Sequence, residues 1–440
     1  AGDFPMERFL AGEGFANQPR FLATRIPPTP EIIKAQGLTP EMVAKIGGGL
    51  PARMKLIAET PVDTWQAWLA AKFIASNAAV LPSDIDQANF DFYGKFIAGS
   101  KVMRPRDERA VVTVDGMLGE SIAKIYVDRH FPPASKAAML DLVGNLRKAM
   151  ALNLVDLKWM TPTTRAAAKA KLDAFNVKIG YPSKFETYDS MVIRPDNALE
   201  NKLAAARWEH ARDLDDLTKP VDRERWYLTP QTVNAYYAAT LNEIVFPAAY
   251  LQAPNFSSTA DAAVNYGAIG STIGHEIGHG FDDNGAKYDG KGVLRDWWTP
   301  EDKSTFKKLG ETLVAQYGAM CPFDDGKTCI NGRLTLGENI GDLGGLSLAY
   351  RAYKLSLNGK EAPVIDGLTG DQRFFIAYAQ KYRNKWSEQL QRLVMESDPH
   401  APDTARVNGV LRNFDPWYQA FNIKPGDKMY LPPEQRVSIW

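Results

Sequence analysis

Gly274-His275-Glu276-Ile277-Gly278-His279 decides the reading of this chain. Only five histidines occur in 440 residues, at 130, 210, 275, 279 and 400, and two of them fall inside this stretch. At that frequency an accidental H-E-x-x-H arises in roughly a few chains per thousand, so the pattern carries information. On an α-helix residues i and i+4 share one face about one turn apart, which lets both imidazoles reach one ion at about 2.0–2.1 Å. Glu276 stands about 100° round the helix, placed to act on water beside the ion without being a ligand. A catalytic zinc site normally has three protein ligands and one open position, so a further donor is needed. About sixty residues on, Gly337-Glu338-Asn339-Ile340-Gly341-Asp342 sets two carboxylates four positions apart on one helical face. Glu338 can bind the metal while Asp342 accepts the other N–H of a ligand histidine. Alone, such a pair reads as a solvated helix face; downstream of HEIGH it reads as part of a metal site.

Working outward, 440 residues suffice for roughly two to four domains with buried cores. The composition, 45% hydrophobic and 24% charged, excludes a disordered or low-complexity chain. Lysine plus arginine equals aspartate plus glutamate at 52 each, so no overall field favours nucleic acid or an anionic membrane. No run reaches the ~18 apolar residues of a membrane span; the best, 67–81, is broken by Lys72 and Asn77 and reads as a core helix. Turn signals PPTP, GLTP and IGGG punctuate residues 1–51, and the apolar spacing from Pro51 to Met160 is helical apart from a strand-like AVVTVDG at 110–116. Thr161-Pro162 reads as a helix start, and a charged helix is expected from Asn197 to Leu217. Beyond it, QTVNAYY and NEIVFPAAYLQ read as strands. A predominantly helical domain over 1–185 and a second domain over 186–440 are therefore expected. Cys321 and Cys329 flank CPFDDGKTC, which suits a loop-closing disulfide; two free buried thiols are the alternative.

The strings VNAYY (233–237), IVFPAAYLQ (244–252), GHEIGHGFDDNGAKYD (274–289), DWWT (296–299), TLGENIGDLGG (335–345) and DPHAPDTARVNG (398–409) resemble the neprilysin-type zinc metallopeptidases, with the endothelin-converting enzymes and PepO-like bacterial oligopeptidases. Weaker likeness runs forward to about residue 50. The resemblance implies a mainly α fold with a small β component, in which a thermolysin-like zincin catalytic domain is enclosed by a helical domain. It implies one zinc ion held by His275, His279 and Glu338, with Glu276 as general base and proton shuttle. Asp342 would orient His275, Asn234 and Ala235 on an edge strand would bind the substrate backbone, and His400 and Arg406 would contact the scissile region. Family members cut short peptides, commonly on the amino side of a hydrophobic residue.

Other motifs take blander readings. His130 and His210 lack metal-ligand spacing, Trp297-Trp298 reads as core packing, and Asp282 and Asp283 read as structural because no calcium-loop alternation surrounds them. Relatives begin well before the point matched by residue 1, which leaves open a processed fragment, a truncated homologue, or one half of a two-chain enzyme whose partner fragment supplies the family's N-terminal segment. The family's cysteine near the C-terminal tryptophan is replaced by Val437. A catalytically silent zinc-stabilised binding protein is the rival from another class, disfavoured by Glu276, which a structural site does not need. AGDFPMERFL lacks a signal-peptide pattern, so the chain reads as cytosolic or already processed, and the disulfide with the family's habits favours a periplasmic or secreted location.

Overall fold

The computed structural model describes residues 49–323 and 326–440, with side chains from residue 54 onward. PPTP, GLTP and most of IGGG lie outside the described residues. The described residues fall into two compact units, one ending at Met103 and the other running from Arg104 to Trp440. The first unit holds helices Gly49–Glu59, Val62–Asn77 and Ser83–Asn89 and a π-helical turn Phe90–Ile97. The apolar run expected to form a core helix makes most of Val62–Asn77, yet Trp68, Leu69, Phe73 and Ile74 are exposed. No described helix is long and apolar enough to cross a membrane.

The second unit opens with helix Arg106–His130, which absorbs the expected strand at 110–116. Pro105 precedes it, and Asp107 and Glu108 place negative charge on its first turn. Valine costs a helix only a few tenths of a kcal/mol relative to better formers, so these signals outweigh the β-branched run. Val111 and Val112 project to solvent rather than into a sheet. Helix Pro133–Asp156 buries Met139, Leu142, Val143, Leu146, Met150 and Leu154, the stripe that its spacing predicts.

Helix Pro162–Asp173 starts as read, with the Thr161 side chain accepting from the Thr164 amide and Pro162 at its first position. Thr161 also donates its backbone N–H and hydroxyl to Asp302, at 2.9 and 2.6 Å, and Asp302 receives the Thr299 hydroxyl at 2.7 Å. One buried carboxylate thus joins the starts of two helices, Pro162–Asp173 and Pro300–Gly318. Burial alone would raise its pKa, but hydrogen bonds from Thr161, Thr164 and Thr299 hold it below the ordinary aspartate value. A carboxyl lowered on folding stabilises the protein above its unfolded pKa of about 3.9, and that contribution is lost as pH falls through the folded value. Asp302→Asn is expected to narrow the stability difference between about pH 6 and about pH 3, measured by urea unfolding.

Three strands follow, β1 Asn176–Gly180, β2 Tyr236–Ala238 and β3 Glu243–Pro247, in the order β1-β3-β2. β1 runs parallel and β2 antiparallel to the fully buried β3, which leaves β2 at an edge. The charged stretch forms helix Ala198–Asp216, capped by Asn197. Helices Pro133–Asp156 and Pro162–Asp173 pack against each other, and the former reaches β1 and helix Leu336–Ser356. Trp298 is buried among Trp159, Phe306 and Trp440, with Trp297 partly buried beside it, as expected of core residues. Cys321 and Cys329 are joined by a disulfide.

Candidate metal centre

The histidine helix, Ser271–His279, is buried along nearly its whole length and crosses the glutamate helix, Leu336–Ser356. They approach backbone to backbone. A Cβ on Gly274 would stand 2.5 Å from the Gly345 carbonyl oxygen, and one on Gly345 would stand 2.5 Å from that of Ser271 and 2.6 Å from the His275 nitrogen. A Cβ on Gly341 would meet the His275 ring at 2.8 Å. Only glycine permits this crossing, which carries the first turn of the glutamate helix to the two imidazoles.

His275 Nε2 lies 3.2 Å from Glu338 Oε2, and His279 Nε2 lies 3.6 Å from Glu338 Oε1. One donor atom from each of His275, His279 and Glu338 fits within 4.8 Å of the others. Glu338 Oε2 is buried without a well-formed hydrogen bond, although a second imidazole nitrogen, His400 Nε2, also stands 3.2 Å away. Two imidazoles and a carboxylate turned inward, with an orphaned oxygen at the centre, are the donor set and the defect expected where a zinc ion belongs. The residues present fit that ion.

The supporting shell is continuous. His279 Nδ1 pairs with Asp282 Oδ2 at 2.7 Å, and Asp282 Oδ1 accepts the Asn284 and Gly285 amides at 2.8 and 2.7 Å. Lys171 donates to the carbonyls of Gly285 and Tyr288, both at 2.7 Å, and so grips the loop that carries Asp282. His275 Nδ1 lies 2.8 Å from Asp342 Oδ1, close but bent away from a good hydrogen-bond line. Asp342 also receives Arg406 through Nε and Nη2, both at 2.7 Å, and the Tyr382 hydroxyl at 3.1 Å. His400 is anchored by Asp398, which accepts its backbone N–H and pairs with Nδ1, both at 2.8 Å.

The charges follow from these contacts. Burial alone would raise Glu338, but His279, His275 and His400 hold it well below the usual carboxylate range. Burial would likewise raise Asp342, and the Arg406 fork overrides it. Burial works to lower His279, yet Glu338 and Asp282 push it up to about 10; the same balance, with Asp398 and Glu338, brings His400 to about 9. An ion held by His275, His279 and Glu338 would require both imidazoles to be neutral at the ligating nitrogen and would take the place of their pairing with Glu338. Glu276 is buried next to the histidines without being one of the clustered donors, and burial raises its pKa despite their attraction.

Asn234 and Ala235 precede β2 rather than lying in it; Asn234 is exposed and its side chain accepts the Ala235 N–H at 2.9 Å. β2 packs beside the histidine helix. Arg406 directs its fork at Asp342, with Nη2 3.8 Å from Glu338. Asp282, read from sequence as merely structural, proves to be the partner of His279; its position three residues after that histidine is the signal that was available. Tyr382 was not singled out, and nothing near it in the sequence marks it. His130 contacts Tyr126 and Gln252, away from the cluster, and His210 is exposed.

Two models for peptidase family M13 match the chain, one for the family's N-terminal part over residues 39–182 and one over residues 234–437. The chain belongs to peptidase family M13. This M13 chain is 34% identical over 388 residues to a neutral endopeptidase of Lactobacillus helveticus, covering 88% of this chain and 58% of that protein. It is 34% identical over 390 residues to human endothelin-converting enzyme 1, covering 86% of this chain and 50% of that protein. Among solved structures it superposes on Mycobacterium tuberculosis zinc metalloprotease Zmp1 in complex with an inhibitor, with TM-score 0.85 and 45% identity over 91% of this chain and 60% of that one. PepO from Lactobacillus rhamnosis gives TM-score 0.80 and 34% identity, covering 89% of this chain and 61% of that one. The M13 chain thus spans between half and about three fifths of each of these four relatives. The mainly helical zincin fold expected from the motifs is the fold of these neighbours.

Proposed function

We propose that this chain is a zinc-dependent endopeptidase that hydrolyses oligopeptides, with one zinc ion on His275, His279 and Glu338. The observation that carries the reading is the convergence of these donors beside Glu276, a buried carboxyl outside the ligand set. Bound zinc supplies a Lewis acid that polarises the scissile carbonyl and acidifies water. Glu276 takes the proton of the attacking water and returns it to the departing amine, and its raised pKa makes it a stronger base than an exposed carboxylate. His400, held by Asp398, donates from Nε2 to the oxygen on which negative charge develops. Asp342 orients His275 and fixes Arg406, to which we assign contact with the scissile region. The backbone at Asn234 and Ala235 continues the free edge of β2, where an extended peptide adds by main-chain hydrogen bonds.

The catalytic groups all lie beyond residue 185, with the residues before it as the helical part that favours short peptides over folded proteins. The gap between the two family models, 183–233, includes residue 185. A hydrophobic residue after the scissile bond is the preference that the family likeness implies, and a periplasmic or secreted location accords with the disulfide. The test is hydrolysis of an internally quenched peptide set by the zinc-loaded chain. Cleavage that a chelator stops and added zinc restores is expected; no cleavage of any peptide by protein verified to hold one zinc would refute the assignment.

A further inference from the structure

One enclosed amine has no part in the machinery above. Lys381 follows helix Gly370–Gln380, and its Nζ donates to Ser271 Oγ at 2.8 Å and Thr272 Oγ1 at 2.9 Å, in the first turn of the histidine helix. Tyr250 Oη is 3.3 Å from Thr272 Oγ1, and the rings of Tyr382 and Tyr378 lie 4.8 and 5.2 Å from Nζ. Thr272 precedes Glu276 by four residues and so stands on the same face one turn away, about 6 Å along the axis. The amine, its two hydroxyls and the Tyr250 phenol therefore sit immediately beside the proton shuttle.

Lys381 is charge-poor in partners. Among the described residues no carboxylate is ion-paired with it: Asp342 is taken by Arg406 and His275, and Glu276 interacts with it only at longer range. Burial without a counterion lowers its pKa to about 7. An ammonium has three N–H donors, and the hydroxyls use two. The residue is half-buried, and aromatic rings crowd its amine.

The proton that Glu276 returns goes to the nitrogen of the residue after the scissile bond, so that residue's Cα is one bond from the shuttle. The Thr272–Lys381 cluster, one helical turn from Glu276, is placed to receive that residue's side chain. Resting on the peptidase reading, and in place of the hydrophobic preference that the family likeness implies at this position, we propose that Lys381, with Ser271 and Thr272, forms a pocket that selects an acidic side chain, glutamate or aspartate, on the residue immediately after the scissile bond. The carboxylate takes the third N–H of Lys381, and the tyrosine rings pack on the methylenes of a glutamate.

The test uses the full zinc-loaded chain and matched quenched peptides that differ only at that residue: glutamate, glutamine, leucine or lysine. The wild type is expected to favour glutamate over glutamine and leucine by about tenfold or more in kcat/KM, the scale of a hydrogen bond to a charged group. Lys381→Met, uncharged and of similar length, is expected to move the preference to leucine, and Lys381→Glu to move it to lysine. A wild type that prefers leucine to glutamate, or an unchanged ranking in Lys381→Met, overturns the proposal; the wild-type series decides even if a variant fails to fold. Anisotropy titration of the same peptides with zinc-loaded Glu276→Gln separates the two claims. Tighter binding of the glutamate peptide sustains the pocket even if no peptide is ever cut, an outcome that sinks only the peptidase reading. Equal binding of the glutamate and leucine peptides overturns the pocket while leaving hydrolysis untouched.

Discussion

Replacing Glu276 by glutamine leaves zinc content at the wild-type level and lowers kcat by about 10²-fold or more, the usual contribution of a positioned acid–base group. The amide keeps the shape and burial of the carboxyl, so the packing of the histidine helix is preserved. It removes the only property that the proposed chemistry needs at this position, the capacity to accept and return a proton. Metal retention follows because Glu276 is not among the clustered donors. Metal analysis together with kcat on one peptide checks both halves, and undiminished turnover in metal-verified Glu276→Gln would remove the residue from its role.

The second large effect is structural. Gly345→Val is expected to destabilise the protein by about 1–3 kcal/mol and to lose zinc at the same time, because the new side chain is aimed at the Ser271 carbonyl and at the backbone of His275. Backbone cannot rotate out of the way as a side chain does. The helices must part, and Glu338 and His275 ride on opposite members of the pair. Gly144→Ala, inside helix Pro133–Asp156 where a Cβ meets nothing within 4 Å, is the matched control and is expected to stabilise by about 0.4–1 kcal/mol. Urea unfolding and zinc occupancy of both variants distinguish crowding at the crossing from a general intolerance of glycine replacement.

The metal group was legible in the sequence because its spacing is local. His275 and His279 are fixed four residues apart by the helix, and Glu338 and Asp342 are related in the same way, so the 3.6-residue period exposes both pairs. The strands at Tyr236–Ala238 and Glu243–Pro247 were legible from β-branched and aromatic runs next to turn signals. Val111, Val112 and Val114 misled because valine's local preference is weak and the charges and proline of the helix start lay outside the window that suggested a strand. Lys381 was invisible for the opposite reason. Its partners Ser271 and Thr272 are 110 and 109 residues away, and no local pattern records such a pairing. Asp282 lay between these cases, near His279 in sequence but past the end of its helix, where periodicity no longer says which way a side chain turns.

The hold of Lys171 on the Gly285 and Tyr288 carbonyls has a thermodynamic corollary. A residue of helix Pro162–Asp173 steadies the loop whose Asp282 steadies His279, so whatever the early helix adds to ion affinity, the ion must return as added rigidity of that helix. Amide exchange in residues 162–173 should consequently slow when zinc is added, a response felt in a part of the chain that never touches the ion.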